Sequence, residues 1–279
     1  MLVLLWLGVI PAMQAQTFDK LWKEVEQAEK KSLPQTVIKL TGEIYQKGEM
    51  EKNSPQMLKA YMWRMKYRDM LTPDSLYTGL QELKQWAKQA DKPMDRAILH
   101  SLIAGMYADY AANNQWQLRQ RTEIAGEAPS ADMREWTANM FVEKVRTNVK
   151  EAMADSVLLL NTSSRTYIPF VELGETSEYY HHDMYHLLAS RSIEALQRIQ
   201  GLDRTTPIEA YSEETSSEKE SLVKQDIERI YDQMLTSYKA KGDKEGCLLT
   251  SLNYLNWKHG TSKSFREPFR VKKGGTYMT

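Results

Sequence analysis

Behind Thr17 the apolar residues Phe18, Leu21, Trp22 and Val25 recur every three or four positions, the spacing that lines up one face of a helix. Ser32-Leu33-Pro34-Gln35 has the form of a capping box, with a Ser oxygen and a Gln side chain satisfying each other's free backbone donors. Leu33, Val37, Leu40 and Ile44 follow with the helical period, and Gly48 ends the segment. Ser54-Pro55 predicts the next start, because proline in the first turn sacrifices no helical hydrogen bond; Leu58, Tyr61, Met62 and Met65 carry its buried side. Thr72-Pro73 repeats that signal before Leu76, Leu80, Leu83 and Ala87. Asp91 and Pro93 open a helix with Ile98, Leu102 and Met106 on one face, while Ala104, Gly105, Ala108 and Ala111 let a neighbour approach closely. Ser130 reads as the start of a long helix directing Trp136, Phe141, Val145 and Val149 to the core. No sustained period-two alternation occurs before residue 160, so the pattern predicts stacked antiparallel helices.

Two stretches break the rhythm. From Asn161 to Tyr180 the chain holds Pro169, Gly174 and the aromatics Tyr167, Phe170, Tyr179 and Tyr180, which predicts a long ordered loop or a pair of short extended pieces. Residues 203–221 are polar and acidic, the composition of an exposed linker. A helix pair then returns over 222–258. Ile227, Ile230, Tyr231, Met234, Leu235 and Tyr238 form one stripe, Gly242-Asp243 turns the chain, and Leu248, Leu252 and Leu255 are expected to face back. This pair echoes the earlier run Tyr45, Gly48, Leu58, Tyr61-Met62-Trp63, in the manner of a tetratricopeptide-type hairpin of about 34 residues. One such hairpin cannot bury its own stripe, so neighbours must stack. The expected fold is all-α: tetratricopeptide-like hairpins in a short solenoid, with one long irregular loop. Its parts are a helical repeat region over 17–160, the aromatic loop plus a helix over 161–202, the linker, the final hairpin, and an irregular tail over 259–279.

Composition adds a compartment and removes several functions. Residues 1–16 hold an apolar run, Pro11 and small residues through Ala15, the layout of a signal peptide; the run is shorter than the roughly 20 residues that span a bilayer. No second such run follows, so no transmembrane segment is expected after its removal. Lys plus Arg equals Asp plus Glu at 37 each, which argues against nucleic acid as a partner. A single cysteine, Cys247, permits no intrachain disulfide, and export without disulfides suits a bacterial periplasm.

Candidate chemistry is sparse. The chain has no Gly-x-Ser-x-Gly elbow and no glycine-rich phosphate cradle, and Cys247 lies in an apolar helical context that suits a small buried side chain. Glu178-Tyr179-Tyr180-His181-His182-Asp183-Met184-Tyr185-His186 is the best metal candidate: on a helix, His182 and His186 would share a face and grip zinc with a carboxylate from elsewhere. The competing reading is that these residues cap and pack a helix start. Trp86, Tyr110 and Trp116 are candidates to line a carbohydrate or peptide groove, or the seam between hairpins. No catalytic residue, cofactor or small-molecule substrate is indicated. The residues predict a binding scaffold, not an enzyme.

Particular strings carry a resemblance. Ile98-Leu99-His100-Ser101-Leu102, Tyr107 through Trp116, Arg134-Glu135-Trp136-Thr137, Tyr167-Ile168-Pro169-Phe170 and Tyr180 through His186 resemble the N-terminal helical region of bacterial alpha-2-macroglobulin-like proteins, over about Phe18 to Trp257. The resemblance implies a protein of the periplasm or envelope of a Gram-negative bacterium, related to endopeptidase inhibitors, with proteases or envelope proteins as partners. It also implies parts that are missing here: Gly246-Cys247-Leu248-Leu249 lacks the Glu-Gln of a thioester, and neither bait nor strand-rich domains follow. The chain then reads as the leading fragment of a longer protein. The alternative expectation is a helical-repeat glycan- or protein-binding protein of the envelope; a metal-dependent hydrolase built on His181, His182 and His186 is the other rival.

Overall fold

The computed structural model describes residues 17–72, 75–121, 130–174, 179, 182–203, 221–260, 269–273 and 276–277. Contacts divide the chain into two compact units, Met1–Leu71 and Thr72–Thr279. Among the described residues the structure is helical apart from three short strands, which is the all-α class expected. The expected signal peptide lies outside the described residues, as does nearly all of the acidic linker. No described helix is long and apolar enough to cross a membrane.

The first unit contains α1 (Phe18–Lys30), α2 (Pro34–Met50) and α3 (Ser54–Leu71). Thr17 caps α1 as expected, its hydroxyl accepting from the Lys20 N–H at 3.4 Å. The second start differs. Ser32 takes a left-handed φ of 53°, its N–H donates to the Glu29 carbonyl at 2.9 Å, and the Leu33 N–H donates to the Ala28 carbonyl at 3.0 Å. Ser32 therefore closes α1 instead of capping α2, which begins at Pro34 without a side-chain cap. The same device ends α2: Lys52 has φ 52° and the Asn53 N–H reaches the Gly48 carbonyl at 2.8 Å. Gly48 is required there, since a Cβ would lie 2.8 Å from Met57 Cγ. The core gathers Leu21, Trp22, Val25, Val37, Ile44, Ala60 and Trp63. Trp22 and Trp63 meet edge to face at 5.7 Å, and Glu29 accepts from Trp63 Nε1 at 3.2 Å and from the Tyr67 hydroxyl at 2.8 Å, tying α1 to α3.

The second unit runs through α4 (Ser75–Gln89), α5 (Pro93–Asn113), α6 (Gln115–Gln120), α7 (Ala138–Ala152), α8 (Ser156–Asn161), α9 (Met184–Ile199), α10 (Leu222–Lys241) and α11 (Lys244–Lys258). Its packing departs from the nearest-neighbour order of a solenoid: α5 packs on α4, α7 and α9, and α9 packs on α7, α8 and α10. The reason is compositional. Ala97-Ile98-Leu99 and Leu102-Ile103-Ala104 are buried in succession, so α5 is apolar on every side and must be wrapped. The small residues Ala104, Ala108 and Ala111 are fully covered, as the close approach of neighbours requires.

Ser130 does not begin a helix. Its hydroxyl accepts from the Asp132 N–H at 3.1 Å and its carbonyl from Trp136 Nε1 at 2.6 Å, which shapes a loop with a 3₁₀ turn at Met133–Glu135. The helix α7 starts after Thr137 instead. Trp136 still reaches the core, where Tyr107, Tyr110 and Trp136 surround Phe141.

The long loop is held at both ends. The Tyr167 hydroxyl donates to Asp95 Oδ1 at 2.7 Å, and the Ser164 N–H donates to the His182 carbonyl at 2.8 Å. It contains β1 (Val171–Leu173), which pairs antiparallel with β2 (Phe269–Lys273), Val171 opposite Val271; β2 pairs antiparallel with β3 (Thr276–Tyr277). The stretch expected as an irregular tail thus supplies two strands. Its Phe269-Arg270-Val271-Lys272 alternation, with Gly274-Gly275 next in sequence, is a short hairpin signal.

Candidate docking groove

The corner where the histidines lie is a helix start. Asp183 is the cap of α9, accepting from the His186 N–H at 2.8 Å, so the helix begins only after His182. His182 and His186 therefore do not share a helical face, and the zinc geometry that four-residue spacing predicts does not form. His186 is buried on α9 and its Nδ1 shares a hydrogen bond with the Tyr238 hydroxyl of α10. His181 lies outside the described residues. Among the described residues no three His, Cys, Asp or Glu side chains converge to hold a metal ion. Asp183 carries a second load: Lys241 Nζ at the end of α10 donates to Oδ2 at 2.5 Å. The cap thus also pins α10 to α9.

Lys241 also lines a groove of about 950 Å³. One side is the outward face of α10, with Gln225, Asp232, Gln233, Thr236 and Ser237 in line. The other is the α7–α8 corner, with Met153 and Leu160, and Tyr185 from the first turn of α9. Helical phase explains the wall. Ile227, Ile230, Tyr231, Met234 and Tyr238 go to the core, so the residues between them point away from it. Amides, hydroxyls and the charged Glu228, Arg229, Asp232 and Lys241 there face aliphatic side chains across the opening.

Several charges along the groove are paired locally. Arg146 of α7 pairs with Asp226 at 2.6 Å, and Arg229 pairs with the same carboxylate at 2.7 Å, clasping α7 to α10. Glu228 meets Lys258 at 3.8 Å. Burial, and then the nearby Asp183 carboxylate, push the Tyr185 phenol up to about 12, so it stays a neutral hydroxyl at physiological pH. The groove has no dominant field to steer a strongly charged ligand. It offers aliphatic side chains, amides and hydroxyls, and two side chains of each charge, Glu228 and Asp232 with Arg229 and Lys241.

The aromatic candidates separate. Tyr110 stacks on Phe141 at 5.3 Å as part of a seam, Trp86 is half-buried, and Trp116 on α6 is 75% exposed. None of them lines the groove. Cys247 is partly buried, its Sγ 4.0 Å from the Leu235 carbonyl across the α10–α11 seam. Sequence reasoning missed the groove because Gln225, Asp232 and Thr236 look like any solvated helix face; only the Met153–Leu160 corner opposite gives them a role. No protein-family model matches the chain, and no curated protein or solved structure matches it either.

Proposed function

We propose that this chain is a non-catalytic helical scaffold that docks an apolar-anchored peptide segment of a partner protein in the groove along α10. The observation that carries this reading is the lining: the aliphatic side chains of Met153 and Leu160 facing a wall where amides and hydroxyls alternate with Glu228, Arg229, Asp232 and Lys241. A peptide uses both, burying a side chain against the aliphatic pair while its backbone meets Gln225, Gln233 and Thr236. A glycan would want open aromatic faces for its rings, and the groove's one aromatic, Tyr185, is buried. The setting we propose is the N-terminal part of an exported alpha-2-macroglobulin-like endopeptidase inhibitor in a Gram-negative envelope. The strings at Tyr107–Trp116, Tyr167–Phe170 and Tyr180–His186 support that setting.

The test is a peptide array probed with the full chain, beside Thr236→Arg, which plugs the groove from an exposed position. Peptides with an aliphatic anchor should be retained by the wild-type chain and lost with Thr236→Arg at unchanged melting temperature. Retention that ignores this substitution, or glycan-array binding that depends on it, overturns the reading.

A further inference from the structure

Helices α4 and α7 both pack on α5, and the valley between them collects positive charge. Lys84 and Lys88 stand four residues apart on α4, hence on one face and one turn from each other. Across the valley Lys144 of α7 comes within electrostatic reach of Lys84. The floor is His100 of α5, whose Nδ1 meets Asn148 Oδ1 of α7 at 2.9 Å. Asn148 directs its Nδ2 to the Lys144 carbonyl at 2.8 Å, so the His100 ring is the donor in that bond, and its Nε2 bonds no other described residue. Lys84 is half-buried; burial first, then the Lys144 and Lys88 ammonium groups, hold its pKa below the usual lysine range. Among the described residues none of the three lysines makes an ion pair. The placement of the neighbouring carboxylates explains this. Glu82 lies on the opposite side of α4 from Lys84, and Glu143 is turned about 100° from Lys144 on α7. Glu151 is ~10 Å further along α7, and Asp91 lies past the end of α4 beside Arg96, which donates to its carbonyl at 3.4 Å. Lys144 has the Trp136 ring 5.9 Å from its Nζ, the outer limit of a cation–π contact, which leaves the charge in place.

We infer that the valley between α4 and α7 binds a phosphate-type dianion, held between the ammonium groups of Lys84, Lys88 and Lys144 above the His100 ring. Three ammonium groups around one point repel one another, and Lys84 has also given up part of its hydration, so the arrangement opposes itself unless a counter-charge sits within it. A dianion accepts from all three at once, and charge-assisted hydrogen bonds of this kind are the strong ones. Compact ammonium groups on flexible stems suit a tetrahedral oxyanion, which offers acceptors in every direction. His100 Nε2 donates to it from below when protonated, and accepts from singly protonated phosphate when not. The positive cluster is confined to this valley in a chain with 37 residues of each charge, which fits a small anion and not the long basic track that nucleic acid requires. None of these residues lines the α10 groove, so the inference does not rest on the peptide reading.

The probe is inorganic phosphate, titrated into the full chain near neutral pH by calorimetry in a low-salt buffer, beside sodium chloride at matched ionic strength. Saturable binding at one site is expected with phosphate and none with chloride. Lys84→Met with Lys144→Met keeps the aliphatic stems and should weaken phosphate by about tenfold or more. The melting temperature of that double variant without phosphate should hold or rise, because the repulsion is gone. Lys150→Met, at an exposed lysine on another face of α7, should leave the affinity unchanged. Glycerol phosphate separates two sources of the same group: tighter binding than inorganic phosphate assigns the valley to a phosphoryl group on a larger molecule, and equal or weaker binding assigns it to the free ion. The inference is overturned by no saturation with phosphate, by equal affinity in the double variant, or by succinate binding as tightly as phosphate.

Discussion

Removing the Phe141 ring is the sharpest test of how the groove is held. Phe141 lies fully buried on α7, with ring centroids of Tyr110, Trp136 and Tyr107 at 5.3, 5.4 and 6.3 Å. Phe141→Ala loses the transfer energy of the ring and leaves a cavity, which together cost about 3–5 kcal/mol. The ring pairs are worth about 0.5–1.5 kcal/mol each, but they vanish together and do not add. The cavity decides the outcome. Phe141→Leu keeps most of the volume and loses the ring pairs, so it should cost under about 2 kcal/mol. For a unit near two hundred residues, about 3–5 kcal/mol lowers the melting temperature by roughly 6–20 °C. Urea titration followed by tryptophan fluorescence, alongside calorimetry, measures both variants. A loss below about 1 kcal/mol for Phe141→Ala would refute the claim that α5 and α7 are locked through this ring. Because α7 runs straight into Met153 of the groove, peptide retention should weaken with Phe141→Ala even below its melting temperature.

Two more perturbations follow from the structure. Burial pushes the phenols of Tyr107 and Tyr185 up to about 12, whereas an unfolded chain loses those protons near 10. Their contribution is therefore intact below pH 10 and disappears as pH rises from about 10 to about 12; the urea midpoint should fall across that window, and less steeply in Tyr107→Phe with Tyr185→Phe. Gly242 ends α10 at φ 71° with its N–H on the Lys239 carbonyl at 3.1 Å, and a Cβ there would meet nothing within 4 Å. Gly242→Ala should thus cost only backbone strain, about 1 kcal/mol by urea titration, and an unchanged midpoint would show that the left-handed turn is not needed.

Helix content was legible wherever an apolar stripe and a start signal coincided. Thr17 caps α1, and Val37, Ile44, Leu83, Ile98, Leu102, Val145 and Val149 are all buried as their spacing predicts. Start signals failed where a polar residue had a competing local use. Ser32 serves the end of α1, Ser130 ties a loop to Trp136, and Asp183 takes the cap that would have let His182 join a helix with His186. Each is a short polar side chain able to bond backbone in several conformations, so the residue type alone does not say on which side of it the helix lies. The order of packing was not legible either. A stripe says that a helix is covered, whereas the wrapping of α5 by α4, α7 and α9 depends on contacts far apart in sequence.

The inversion of α11 shows what decides between two apolar faces. The helix has the leucine stripe on one side and Cys247, Tyr254 and Trp257 on the other, and periodicity alone favours the leucines. The turn overrides it. Gly242 and Asp243 are the only residues between α10 and α11, and Asp243 caps α11 by accepting from the Gly246 N–H at 2.8 Å. So short a link fixes the rotation of α11 as well as its direction. Gly246 then lies where a Cβ would come 3.1 Å from the Tyr238 ring, so only a face of small residues at this end can approach α10 so closely. One step along the same face Tyr254 meets Tyr231, and Trp257 Nε1 donates to Gln200 Oε1 at 3.0 Å. The rotation that satisfies the turn, the cap and this aromatic ladder necessarily presents Leu248 and Leu255 to the outside. Their exposure is a consequence of how the hairpin closes.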